Sequence, residues 1–144
     1  MFRPEVTVRR RYIIAGVLLM LVVAASAQAA GRREPGALID PQDAYRMVRN
    51  GRAILVDVRD HASYREAHAA GAILVPLHEV GAAAEQLGAR GLTIITYCQC
   101  PAEETSMAAA LQLIARGVDD VLVLRGGIRG WMLAGLPMRS GDRS

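Results

Sequence analysis

Cys98 and Cys100 are the only two cysteines of the chain, and they open the segment Cys98-Gln99-Cys100-Pro101-Ala102-Glu103-Glu104, which also carries two carboxylates. A bridge between thiols one residue apart closes a very small ring. It would be strained, easily reduced, and would cross-link almost no chain. A stabilising disulfide is therefore the weaker reading, and a reactive or ligand pair the stronger. Cys98 follows an apolar run at 92–97 that reads as a strand, and it precedes a long helical pattern at 102–115. A thiol at such a junction faces the partial positive charge and open N–H groups of a helix N-terminus. Both favour thiolate over thiol and lower its pKa, and the same N–H groups can cradle an anion or the outer sulfur of a persulfide. Nucleophilic chemistry is thus expected of Cys98. Cys100 is read either as a resolving thiol that attacks a modified Cys98 or as a passive loop residue.

The neighbouring residues have plainer readings. Pro101 suits the first position of the helix, and Glu103 and Glu104 then complement its dipole from the first turn. In doing so they offset the dipole's help to a Cys98 thiolate. Asp57 and Arg59 leave a second apolar run at 53–58, where a charged pair is best explained as an ion pair or loop anchor that shapes the wall of a site. Cys98, Cys100 and Met107 together could offer soft ligands to Cu(I), but two loop thiols are a thin set. His61, His68 and His78 have no metal-ligand spacing. No metal and no cofactor are assigned.

The elements that must position these residues follow from periodicity. Ala37-Leu38-Ile39 is a short apolar run, Asp40 stands where a cap belongs, and Pro41 starts a helix that turns Ala44, Met47 and Val48 inward before Asn50-Gly51 ends it. The run at 53–58 reads as a strand buried on both faces. A short helix at 63–67, a strand at 73–75 before Pro76, and a helix at 79–87 come next. The strand at 92–97 leads to the helix at 102–115, with Met107, Leu111 and Ile114 predicted on its inner face and Gly117 as its stop. A strand at 121–124, Gly126-Gly127 and a short helix around Trp131, a core residue, complete the order. Strands alternating with helices, nearly all as unbroken apolar runs, predict an α/β fold: a small parallel sheet flanked by helices on both faces. Ligands of such sheets bind at the carboxyl ends of the strands. Asp57-Val58-Arg59, Pro76, Cys98 and Gly126-Gly127 leave the sheet there.

Three stretches in order resemble the rhodanese-like domain family. Asp57-Val58-Arg59 with Tyr64, His68, Gly71-Ala72 and Pro76 is similar to its first signature. Tyr97-Cys98 is similar to the mouth of its active-site loop, and Gly126-Gly127-Ile128-Arg129-Gly130-Trp131 to its closing signature. The resemblance implies sulfurtransferase chemistry. A cysteine thiolate takes a sulfane sulfur from a donor, holds it as a persulfide, and passes it to a thiol or cyanide. It implies Cys98 as the catalytic residue, a small sulfane-sulfur donor, and a thiol acceptor that could belong to a protein partner. It also implies that His68 is structural. The loop departs from thiosulfate-using members, which show Cys-x-x-Gly-x-Arg. Here Pro101 replaces the Gly and Glu103 stands near the Arg position. At an effective dielectric near 20, a unit charge ~5 Å away is worth roughly 3 kcal/mol, so the exchange disfavours a dianionic donor. A non-catalytic binding or thiol redox-sensing module is the competing reading. Phosphatase chemistry on a similar architecture needs a Cys-x5-Arg loop, and no arginine occurs between Cys98 and Arg116.

Charge and hydropathy set the frame. Seventeen basic residues against fourteen acidic ones give the 144-residue chain a net +3. Residues 1–30 hold that same excess, through Arg3, Arg9, Arg10 and Arg11 against Glu5. The remainder is balanced and lacks the basic stripe of a nucleic-acid binder. Arg9-Arg10-Arg11, the apolar stretch 12–25 and the small residues to Ala30 predict a signal peptide or an N-terminal anchor. Cleavage would free the protein into the periplasm; an uncleaved segment would hold it at the inner membrane, the one membrane contact expected. The expected organisation is then 1–30 signal or anchor, 31–36 linker, 37–139 domain and 140–144 polar tail.

Overall fold

The computed structural model describes residues 33–142, so the expected signal or anchor at 1–30 lies outside the described residues. Five strands form one all-parallel sheet: β1 (Leu38–Ile39), β2 (Ala53–Asp57), β4 (Ala72–Leu74), β5 (Thr93–Tyr97) and β6 (Val121–Leu124), in the order β1-β6-β5-β2-β4. Between them run α1 (Pro41–Arg49), α2 (His61–Glu66), α3 (Val80–Gly88), α4 (Glu104–Ala115) and α5 (Gly127–Leu133). The α/β fold and its parallel sheet are as expected. A second, two-stranded antiparallel sheet pairs β3 (His68–Ala69) with β7 (Met138–Arg139). Strands of two residues carry no period, so nothing in the sequence marked them.

The central strands are buried along their whole length because helices cover both faces. Alternation sorts their side chains into two cores. Ile54, Val56, Ile94, Val121 and Val123 pack with Val80, Ala84 and Leu87 of α3 and Ala109, Ala110 and Leu113 of α4. Leu55, Ile95, Tyr97, Leu122 and Leu124 pack on the other side with Ala44 of α1 and Ile128 and Trp131 of α5. The same alternation places Thr96 and Cys98 on the α4 side and Tyr97 on the opposite side. Trp131 is fully buried, as expected, and its Nε1 donates to the Pro137 carbonyl at 2.9 Å.

Two expectations need correction. Leu111 is 57% exposed rather than inward, and Ser106, Ala109, Ala110 and Leu113 form the buried face of α4. That helix is apolar over most of its surface, so periodicity could not choose a face; small residues allow the closest approach to the sheet. Asp40 does not cap α1 with its side chain, which instead accepts from Arg125 Nε at 2.8 Å. At the last residue of the expected linker, the Gly36 N–H donates to the Val121 carbonyl at 2.6 Å.

The sheet also fixes where a site can form. From β2 the chain moves outward to β4 and then returns to β5 on the other side of β2. The loops leaving β2 and β5 therefore diverge, and a crevice opens between them at the carboxyl end.

Candidate active site

The wall of this crevice comes from the end of β2. Asp57 is fully buried and accepts from the Arg59 backbone N–H at 3.0 Å, Arg59 Nε at 2.9 Å, Arg59 Nη2 at 2.6 Å and the Tyr97 hydroxyl at 2.7 Å. Arg59 Nη2 also donates to the Ala67 carbonyl at 2.7 Å. Burial alone would lower the Arg59 pKa, but the hydrogen bonds and charge of Asp57 outweigh it and raise it, so the guanidinium stays charged. Burial, reinforced by the Asp57 charge, pushes the Tyr97 hydroxyl far above its ordinary range and keeps it a donor. The expected ion pair and loop anchor is thus present, with Tyr97 as a third member. His68 is equally structural: it stacks on Tyr64 at 3.8 Å between ring centroids, and its Nδ1 lies 2.8 Å from the Tyr64 carbonyl.

Cys98 leaves β5 on the α4 side. Its thiol is 1% exposed and donates to Ser106 Oγ at 3.4 Å, while the Cys100 N–H donates to its sulfur, also at 3.4 Å. The Ser106 hydroxyl spends its proton on the Glu103 carbonyl at 3.0 Å, which leaves its oxygen to accept from Cys98. Burial raises the Cys98 pKa, and the Ser106 contact only partly opposes this. The shift runs opposite to the expected lowering. Desolvation of the charged form is the largest cause and outweighs the hydrogen bonds that favour the thiolate.

Cys100 differs. It is half-buried, and its sulfur lies 2.9 Å from Thr105 Oγ1. That hydrogen bond lowers its pKa, against opposing burial and the Glu104 charge. Both cysteines are free thiols.

The segment between them and α4 is a turn, not the start of a helix. Pro101 and Ala102 are exposed turn residues, and α4 begins only at Glu104. Glu103 precedes it in the left-handed region at φ 56°, where its carboxylate accepts from the Gly126 N–H at 2.6 Å. Such a backbone is disfavoured for a residue with a side chain, and the carboxylate bond offsets it. Glu103 is therefore a tie across the loop rather than a first-turn residue; Glu104 alone keeps that role. The other end of the loop is tied to the same turn, since the Ile128 N–H donates to the Cys98 carbonyl at 2.9 Å. Any Cβ on Gly127 would collide with that carbonyl, so only glycine lets the two backbones meet.

A cleft of about 460 Å³ lies beside the loop, lined by Arg59, Glu66, Gln99, Ile128, Arg129 and Met132 among others. Gln99 Oε1 accepts from Arg59 Nη1 at 3.4 Å and so joins loop to wall. The sequence reading missed Thr105 and Ser106. Their signal was present: hydroxyl residues in the first turn of the helix after a strand-end thiol can reach its sulfur.

Among known proteins, the family model described as Rhodanese-like domain matches residues 40–134. The chain is 29% identical over 103 residues to the thiosulfate sulfurtransferase GlpE of Glaesserella parasuis serovar 5 (strain SH0165), covering 72% of this chain and 93% of that one. It is 31% identical over 108 residues to the uncharacterized protein slr1261 of Synechocystis sp. (strain ATCC 27184 / PCC 6803 / Kazusa), covering 75% of this chain and 59% of the relative. A crystal structure of the BH2092 protein from Bacillus halodurans superposes with a TM-score of 0.65 at 29% identity, covering 74% of this chain and 79% of that one.

Proposed function

We propose, because this chain belongs to the rhodanese-like domain family, that it is a sulfurtransferase that carries a sulfane sulfur as a persulfide on Cys98. One observation carries this reading: a free thiol leaves the central strand β5 at the crevice end of the sheet, facing the first turn of α4. The Cys98 thiolate attacks the outer sulfur of a donor persulfide. A bond forms between Cys98 Sγ and that sulfur, the donor S–S bond breaks, and the donor leaves as a thiol with the displaced proton. A thiol acceptor then removes the sulfur by the same exchange.

The loop Cys98-Gln99-Cys100-Pro101-Ala102-Glu103-Glu104 marks a variant form. Glu103 and Glu104 add negative charge where thiosulfate-using members carry an arginine, so a thiol persulfide is the preferred donor over a dianion. The basic run, apolar stretch and small residues of 1–30 support export to the periplasm, or anchoring at the inner membrane if they are not cleaved.

The test is to reduce the purified protein, incubate it separately with thiosulfate and with a low-molecular-weight persulfide, and map added sulfur by intact mass and peptide fragmentation. One sulfur on Cys98, loaded on the order of 10–100-fold faster from the persulfide, is the expected result. Sulfur that never reaches Cys98 from either donor would replace this reading with the binding or redox-sensing module.

A further inference from the structure

The two thiols stand in unequal places. Cys98, the proposed carrier, is 1% exposed and hydrogen-bonded beneath the first turn of α4. Cys100 is half-buried, lies in the turn outside it, and is held by Thr105 Oγ1. The thiols are neighbours: the Cys100 N–H reaches the Cys98 sulfur at 3.4 Å. Both ends of the loop are tied to the Gly126–Ile128 turn, and Cys100 is the more exposed of its two thiols.

We propose that Cys100 is a second catalytic residue, the entry thiol that takes the sulfane sulfur from a thiol persulfide and relays it inward to Cys98. The inference rests on the sulfurtransferase reading and adds a step to it. In the first step the Cys100 thiolate attacks the outer sulfur of the donor R–S–SH. A Cys100 S–S bond forms, the donor S–S bond breaks, and R–S⁻ leaves. In the second step Cys98 attacks the outer sulfur of Cys100–S–SH. A Cys98 S–S bond forms as the Cys100 S–S bond breaks, and the departing Cys100 sulfur takes the proton that Cys98 gave up. The sulfane sulfur keeps its oxidation state throughout, so no external oxidant or reductant is needed.

The direction of the relay follows from exchange chemistry. A thiol of lower pKa leaves faster, and a thiolate of higher pKa attacks more strongly. Thr105 holds Cys100 low against the opposing Glu104 charge, and burial holds Cys98 high. Sulfur therefore moves from the more exposed Cys100 to the more deeply buried Cys98.

The experiment loads purified wild-type, Cys98→Ser, Cys100→Ser and Thr105→Val proteins with a small persulfide and locates the sulfur by peptide fragmentation over time. Cys98→Ser should still take one sulfur, on Cys100. Cys100→Ser should load Cys98 slower by at least an order of magnitude with an unchanged thermal midpoint. In Thr105→Val, a positioning change, the pH profile of loading should move to higher pH, because the lost bond favoured the thiolate. A sulfur-free Cys98→Ser, a Cys100→Ser loading at the wild-type rate, or an unmoved Thr105→Val profile would each overturn the relay. In all three cases a wild-type protein that loads Cys98 would leave the carrier reading standing. Wild type that never loads would instead remove the carrier reading itself.

Discussion

The ends of β2 and β5 are adjacent in one sheet and are built on opposite terms. At the end of β2, Asp57 is fully buried and accepts from four donor atoms, three of Arg59 and the Tyr97 hydroxyl. These are short, charge-assisted bonds of the strong class. At the end of β5, Cys98 has two contacts of 3.4 Å to sulfur, and the loop is closed by a residue in a disfavoured conformation. The difference suits the roles proposed for the two ends. A wall must keep one arrangement, so its charges are saturated. A sulfur proposed to form and break bonds has to change partners, and the two contacts of Cys98 are long, in a loop held by separable ties.

The largest expected effect comes from breaking the wall. Asp57→Asn leaves Arg59 without its counter-charge and should cost about 3–5 kcal/mol of stability in urea unfolding. A loss below about 1 kcal/mol would show that the wall does not depend on its charges. Gly127→Ala attacks the seam between the two regions. A methyl group against the Cys98 carbonyl, on a left-handed backbone, should cost about 1–3 kcal/mol and displace the loop. Thermal unfolding with thiol-labelling rates would measure both, and wild-type values would mean that the loop has slack. Glu103→Ala sharpens the contrast with the least damage. Loss of the bond to the Gly126 N–H should cost about 1 kcal/mol. It should also speed alkylation of Cys98 while leaving hydrogen exchange at Arg59 unchanged. Equal acceleration at both ends would mean that loop and wall move as one body.

Much of the fold was legible because burial on both faces writes itself as an apolar run: β6 spans Val121–Leu124 as read, and β2 and β5 differ from their predicted spans by one residue. The reading failed where chemistry at a distance decides. Pro101 and two glutamates look like a helix start, yet α4 begins at Glu104 because the Glu103 carboxylate finds the Gly126 N–H, 23 residues away in the chain. Leu111 looked inward because every face of α4 offers apolar side chains.

By itself, the sequence determined the order of the helices and of the strands of the parallel sheet, the thiols at the end of β5 and the pairing of Asp57 with Arg59. Each of these follows from local residue type, periodicity or short spacing. Only the tertiary structure decided the character of the two thiols. A helix terminus next to Cys98 argued for a low pKa, but the depth of that sulfur beneath α4 is a property of packing, and burial there pushes the pKa up. The same packing leaves Cys100 in a turn, within reach of Thr105 and partly open to solvent.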